Sequence, residues 1–470
     1  MKFEEMTLVE LVKLVRERKV TSEELTKYFV ARCEEKKAYN AVLEVFDDAI
    51  QKAKEMDEKI AQGFCGKLAG VPVIIKDNIL YEGKKCTCAS KFLEDYVAQY
   101  SSTVVENLLK EGAIIIARAN MDEFAMGSST ENSAYGVTHN ALDFDRVPGG
   151  SSGGSASAVA LGLAPLSLGT DTGGSIRQPS AYNGIVGIKP TYGRVSRYGV
   201  VAFSSSIEQV GPMTKTAEDN AYALEVLAGK CEKDETSINA EIDFLADIEK
   251  SVKGLKIGLV SEVEDLLKGM ESEKAYHGAI EKLKAQGVEF VKVSMPSFRL
   301  ALPCYYIIAP AEATSNLGRF DGIKYSKRVE GKDINETYAK SRSAGFGKEV
   351  KRRIMLGNFV LSSGFFDAYY NKAKAVEQKL KEESKTIFEK CDAILLPTTT
   401  GEAFKLGAIT DPVSMYKEDY FTIPANIMGL PAISVPFEKG KEGMPLAVQI
   451  MGRELDEKTI YRIAHSIERR

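Results

Sequence analysis

Apolar positions near the N-terminus recur at helical spacing. Leu8, Leu11, Val12, Leu14 and Val15 follow Thr7, which places one stripe of a helix toward a core. Thr21-Ser22-Glu23-Glu24 opens a second helix, with Thr21 as N-cap and Glu24 completing a capping box. Apolar–charged periodicity continues from Ala41 to Ile60, so residues 4–62 read as helical. From residue 68 the pattern changes. Residues 71–75 and 114–117 are short, unbroken apolar runs typical of buried strands, with a helix over 102–112 before the second. Further strands are predicted at 255–260 and 288–293 around a helix near 272–286. Helices follow at about 300–318 and 345–390, then strands at 393–396, 433–435 and 446–450, and a closing helix at 455–469. Strands alternating with helices predict an α/β protein with a largely parallel sheet. No internal repeat interrupts the pattern, so one large domain is expected.

Composition narrows the class. The chain has 470 residues, 44% of them hydrophobic, enough for a large core. No apolar stretch approaches 18 uncharged residues, so no membrane span is expected. The N-terminus carries Glu4 and Glu5 where a secretion signal needs bases. Seven cysteines, an odd number scattered along the chain, point to a reducing compartment, and a cytoplasmic protein is expected. Cys86-Thr87-Cys88 has the wrong spacing for a zinc half-site, so no metal is expected. With 62 Lys and Arg against 66 Asp and Glu, the net charge is −4. A chain that held nucleic acid on its own surface would be basic; if RNA takes part, another chain holds it.

The span 127–214 is rich in Gly, Ser and Thr and poor in acids and lysines. A flexible linker is excluded by interspersed apolar runs such as 158–164 and 185–188; tightly packed backbone brought close to something is expected instead. Two clusters stand out: Gly149-Gly150-Ser151-Ser152-Gly153-Gly154 and Gly169-Thr170-Asp171-Thr172-Gly173-Gly174-Ser175, with Ser151 and Ser175 24 positions apart (175 − 151). Upstream, Lys76 ends Val71-Pro72-Val73-Ile74-Ile75. No Gly-Lys pair is followed by Ser or Thr, so there is no phosphate loop of the Walker type. Gly-x-Ser-x-Gly matches at Ser151 and at Ser152, but the downstream His277 and His465 lie in charged helical stretches that suit a surface better than a triad.

What remains is Ser-Ser-Lys. A serine hydroxyl needs a base to take its proton. A lysine serves only when neutral, and apolar burial lowers its pKa. Adjacent residues on a strand point to opposite faces, which makes a Lys76–Asp77 ion pair geometrically poor. Ser151 can relay a proton, being donor and acceptor. Gly173-Gly174 lets backbone N–H groups approach a developing oxyanion at Ser175. Ser175 is therefore the expected nucleophile and Ser151 the relay.

The two clusters, their spacing, and the continuation Ile176-Arg177-Gln178-Pro179 resemble the amidase signature family. The resemblance implies a single large α/β domain around a twisted mixed sheet covered by helices on both faces. In that frame 1–62 are N-terminal helices, 63–220 the signature core, and 221–470 the remaining sheet, pocket helices and closing helix. It implies Lys76, Ser151 and Ser175 as catalytic triad and the backbone of Thr172, Gly173, Gly174 and Ser175 as oxyanion hole. Segments 120–129, 305–313, 351–357 and 419–426 are similar, within the family, to the glutamine-hydrolysing A subunits of tRNA-dependent amidotransferases. That similarity implies glutamine as substrate, with ammonia passed to a B subunit that converts Glu-tRNA(Gln), or Asp-tRNA(Asn), to the amide. It also implies a bracing C subunit, tRNA held mainly by the partner, no cofactor on this chain, and ATP and Mg on B. It further implies Arg353, Asp419, Tyr306 and Ser128 as substrate-binding residues, with Arg353 taking the α-carboxylate and Asp419 the α-ammonium. A solvated helix face is the alternative for Arg353, beside Lys351 and Arg352. A stand-alone amidase for a small or fatty amide is the alternative function, and segments 305–313 and 351–357, outside the shared signature, weigh against it. The intact triad weighs against a structural protein with a decayed site.

Overall fold

The computed structural model describes residues 1–324 and 327–469. Its centre is an eleven-stranded sheet. In chain order the strands are β1 (Val42–Val45), β2 (Pro72–Lys76), β3 (Ile114–Ala119), β4 (Leu166–Asp171), β5 (Val186–Lys189) and β6 (Gln209–Thr214). There follow β7 (Lys256–Val260), β8 (Glu289–Val293), β9 (Ala393–Pro397), β10 (Ala432–Lys439) and β11 (Pro445–Gly452). They lie in the order β1-β3-β2-β4-β6-β5-β10-β11-β9-β7-β8. Every residue of β2, β3, β4, β5, β6, β9 and β11 is buried, so both faces are covered.

The sheet is mixed, as expected, and its parallel pairings sit on two flanks: β3–β2–β4 and β9–β7–β8. The expectation of a largely parallel sheet holds only there. The remaining six of the ten pairings are antiparallel and occupy the middle and the β1 edge. Element alternation does not report strand direction where a long loop, such as the one between β5 and β6, reverses the chain without a helix.

The N-terminal caps form as predicted. Thr7 and Thr21 each accept from the N–H three residues on, while Glu10 and Glu24 reach back. The helical reading of 41–60 is corrected: Val42–Val45 is a strand, paired antiparallel with β3, and the helix is Ala49–Ala61. Its valines satisfy the edge of the sheet better than a helix would. The helix expected over 345–390 is also split. Lys348–Leu361 ends at Ser362, whose ψ of 154° is extended, and Gly364 follows at φ +87°. A π-turn, Phe366–Asn371, then leads into Lys372–Phe388. Residues 127–214 are packed backbone, with β4, β5 and β6 and two short helices, Gly153–Ala160 and Arg177–Asn183, that the sequence pattern did not separate.

Alternation along β2 fixes the site. Val73 and Ile75 enter the large core cluster on one face, while Ile74 joins the cluster containing Ala158 of the Gly153–Ala160 helix. Lys76 shares the parity of Ile74, and so ends the strand beneath that helix's N-terminus. Among the described residues no helix is long and apolar enough to cross a membrane.

Candidate active site

Lys76 is fully buried. Its Nζ lies 2.8 Å from Ser151 Oγ, 2.8 Å from Ser152 Oγ and 2.9 Å from Thr170 Oγ1. Burial pulls its pKa down to about 7, against the opposing pull of Glu208, Asp122 and Asp171. A neutral amine offers two hydrogens and one lone pair to these three hydroxyls. Ser152 Oγ donates its own hydrogen to the Thr170 carbonyl at 3.1 Å, and Thr170 Oγ1 also accepts from Asn78 Nδ2 at 3.1 Å. Ser152 and Thr170 are thereby acceptors toward Lys76, which leaves Ser151 to give its proton to the lone pair. This bonding pattern separates Ser151 from Ser152, two serines alike in the sequence motif.

Ser175 is buried but the most open of the three triad residues, at 8% exposure. Ser152 N–H donates to the Ser175 carbonyl at 3.1 Å, tying the two glycine–serine segments together. Gly173 lies against Tyr305, whose ring would be 2.8 Å from an added Cβ. Gly174 has φ +139°, and a Cβ there would clash with Thr422 Oγ1. The expected four-residue oxyanion hole is corrected at one member. Gly174 N–H donates to Asp171 Oδ1 at 2.9 Å and so holds the loop rather than facing the site. The N–H groups of Thr172, Gly173 and Ser175 donate to no protein group among the described residues.

Asp171 and Arg177 anchor that loop. Arg177 Nε and Nη2 reach Asp171 Oδ2 and Oδ1 at 3.0 and 2.9 Å, and both side chains are fully buried. Arg177 Nη1 also donates to Thr422 O and Gln449 Oε1, each at 2.8 Å, and Asn426 Nδ2 donates to Asp171 Oδ1 at 2.9 Å. Burial alone would raise the Asp171 carboxyl, but the Arg177 charge and these hydrogen bonds hold it at about 2. Asp171 and Arg177 stand inside the quoted signature, yet spacing alone gave no sign that they pair. Asn426 and Gln449 come from remote segments and carried no signal.

The substrate-binding candidates form a second cluster. Ser128 Oγ donates to Asp419 Oδ2 at 2.6 Å, and Tyr306 OH approaches the same oxygen at 3.5 Å. Burial pushes Asp419 up to about 7, partly offset by Ser128 and Arg353. Arg353 is 3% exposed, which removes the solvated-face alternative; its neighbours Lys351 and Arg352 carry that face. Its guanidinium lies 5.4 Å from the ring centres of Tyr306 and Tyr416 and 5.5 Å from Phe203. Arg353 Nε donates to Glu349 Oε1 at 2.9 Å, Tyr416 OH donates to the same oxygen at 3.2 Å, and Tyr306 stacks on Tyr416 at 3.8 Å. Glu349 and Tyr416 went unnoticed in the sequence. The two clusters adjoin: Thr422, three residues after Asp419, donates to the Gly173 carbonyl at 2.6 Å. Gln178 bridges them further, donating to Ser128 O at 2.8 Å and accepting from Gly150 N–H at 2.9 Å.

The histidines lie elsewhere. His139 stacks on Phe144, His277 is exposed, and His465 meets Glu249. Among the described residues no group of three or more His, Cys, Asp or Glu is placed to hold a metal ion.

A serine and a lysine joined through a second serine, beside a loop of open N–H groups, are the equipment of an amide hydrolase without histidine. The amidase family model matches residues 24–461, and the chain belongs to that family. Within it, the chain is 48% identical over 468 residues to the A subunit of glutamyl-tRNA(Gln) amidotransferase from Pelagibacter ubique, covering 98% of this chain and 96% of the relative. It is 49% identical to the protein of the same name from Thermoanaerobacter pseudethanolicus, at the same coverage. The crystal structure of the corresponding glutamyl-tRNA(Gln) amidotransferase protein from Thermotoga maritima superposes with a TM-score of 0.83 at 40% identity, covering 100% of this chain and 95% of that one.

Proposed function

We propose that the chain is the glutaminase component of a tRNA-dependent amidotransferase, hydrolysing glutamine to glutamate and ammonia for use by a partner. The observation that carries the chemistry is the 2.8 Å contact between buried Lys76 Nζ and Ser151 Oγ. Lys76, neutral, takes the Ser151 proton as Ser151 takes that of Ser175. Ser175 Oγ attacks the carboxamide carbon, and the N–H groups of Thr172, Gly173 and Ser175 receive the oxyanion. Ser151 then returns its proton to the leaving nitrogen and is reprotonated by Lys76, releasing ammonia and leaving a glutamyl ester on Ser175. Water hydrolyses the ester by the same relay. Arg353 takes the α-carboxylate, exchanging part of its contact with Glu349, and Asp419 takes the α-ammonium. A cation there draws Asp419 into its ionised form, which offsets the cost of burying it.

The names of the relatives support the acceptor reading: Glu-tRNA(Gln), with Asp-tRNA(Asn) as a further acceptor, modified on a B subunit that binds ATP and Mg, with a C subunit completing a heterotrimer. The seven free cysteines agree with work in the cytoplasm. Ammonia release from glutamine is the test, assayed on the chain alone and with B and C subunits, ATP and mischarged tRNA. The expected result is weak activity alone and substantial activity in the assembly. An isolated chain as active as the mixture, or one that forms no complex, would favour a stand-alone amidase.

A further inference from the structure

Glu208 lies just before β6, is 1% exposed, and takes no part in the steps above. Phe203 N–H donates to its Oε2 at 3.1 Å, while Oε1 has no partner among the described residues. The segment that carries Phe203 also touches the lysine's surroundings. Val201 N–H donates to the Asn78 carbonyl at 2.9 Å, and Asn78 Nδ2 donates to Thr170 Oγ1, one of the three hydroxyls on Lys76.

Four groups influence Lys76 electrostatically: Glu208 most, then Asp122, Asp171 and Cys88. Asp171 is committed to Arg177, and Asp122 to the N–H groups of Thr130 and Asn132 at 2.9 and 3.1 Å. Burial raises the Cys88 thiol well out of its ordinary range. Glu208 itself feels Arg197, Lys76 and Glu312. Arg197 is turned to Asp234 at 3.9 Å, and Glu312 accepts from Ser204 Oγ at 2.8 Å and Ser206 N–H at 3.0 Å. Glu208 is thus the one carboxyl near Lys76 with an oxygen to spare. Burial pushes it up to about 7, beside a lysine brought down to the same value.

We propose that Glu208 is a positioning residue for the catalytic base: as a carboxylate it stabilises the ammonium form that Lys76 passes through each time it accepts the Ser151 proton. The inference rests on Lys76 being that base. Lys76 and Glu208 then titrate as a pair. Removing the negative charge makes the ammonium less favourable, so Lys76 stays neutral to lower pH but is a weaker base.

The experiment follows the rate at which a small serine-directed fluorophosphonate labels Ser175 in the full chain as a function of pH. It needs neither glutamine nor partner subunits. Glu208→Gln is expected to lower the maximal rate about ten- to a hundredfold and to move the acid limb down by about one pH unit. Glu208→Asp, which keeps the charge, is expected to return the limb toward wild type. A Glu208→Gln limb that stays in place while Lys76→Ala is inert would overturn the role of Glu208 alone. A Lys76→Ala chain that labels at the wild-type rate would remove the base assignment and this inference with it. An Asp variant displaced as far as the Gln variant would overturn the charge argument, because shape rather than charge would then set the limb.

Discussion

Lys76 is surrounded by hydroxyls on strand ends and glycine loops, whereas Arg353 is surrounded by aromatic rings on separate helices. The first arrangement is made of short contacts with little freedom. Gly173 and Gly174 leave no room for a methyl group, and the Asp171–Arg177 pair fixes the loop from below. The second is made of longer side chains whose partners can exchange: Arg353 rests on Glu349, a contact that a substrate carboxylate can replace. The comparison teaches that this protein separates chemistry from selection. The reacting groups are held in one geometry, and the groups that choose the substrate are held against one another until it arrives.

Changes in the first region should therefore act on turnover and stability. Lys76→Arg keeps a cation but cannot become neutral, because guanidinium does not deprotonate in this range. It should lose activity by about 10⁴-fold, as Lys76→Ala does. In the wild type, activity should fall as pH drops through about 7, where Lys76 takes up its proton. Steady-state glutamine hydrolysis across pH checks both, and a Lys76→Arg enzyme at the wild-type rate would reduce Lys76 to a spacer.

Arg177→Met is expected to cost about 3–5 kcal/mol of folding stability, because it leaves Asp171 buried and unpaired. Denaturant unfolding measures it, and a near-neutral result would mean that Asn426 and the backbone N–H groups hold Asp171 without Arg177.

Changes in the second region should act on KM. Arg353→Ala is expected to raise KM for glutamine about ten- to a hundredfold, while a small uncharged electrophile still labels Ser175 at close to the wild-type rate. An unchanged KM would take Arg353 out of the pocket and erase the division of labour. Tyr416→Phe, which deletes one hydrogen bond to Glu349, should raise KM only about two- to tenfold and leave kcat in place.

The same contrast explains what the sequence revealed. The catalytic residues sit in contiguous motifs whose glycines have a local steric reason, so Ser151, Ser175 and Lys76 could be read from their neighbours. The caps at Thr7 and Thr21 were legible because capping is a matter of four residues. Asp419, Arg353, Tyr306 and Ser128 lie on elements far apart in the chain, and resemblance alone brought them together. Glu349 and Tyr416 gave no signal because their role exists only once the Lys348–Leu361 helix and the loop before Asp419 are packed. Strand direction was missed for a related reason: reversals through the long loop between β5 and β6 leave no mark on hydrophobic period. The edge strand β1 was mistaken for helix because its four residues are only half-buried and continue a helical texture.

The central claim is that Ser175, activated through Ser151 by a neutral Lys76, is the nucleophile toward glutamine. A glutamine analogue with an electrophilic carbon in place of the amide tests it most directly, with the adduct located by peptide mass spectrometry. The account predicts a single adduct on Ser175, absent in Ser175→Ala and slowed by Lys76→Arg. An adduct on Ser152, or glutamine turnover retained in Ser175→Ala, would contradict it.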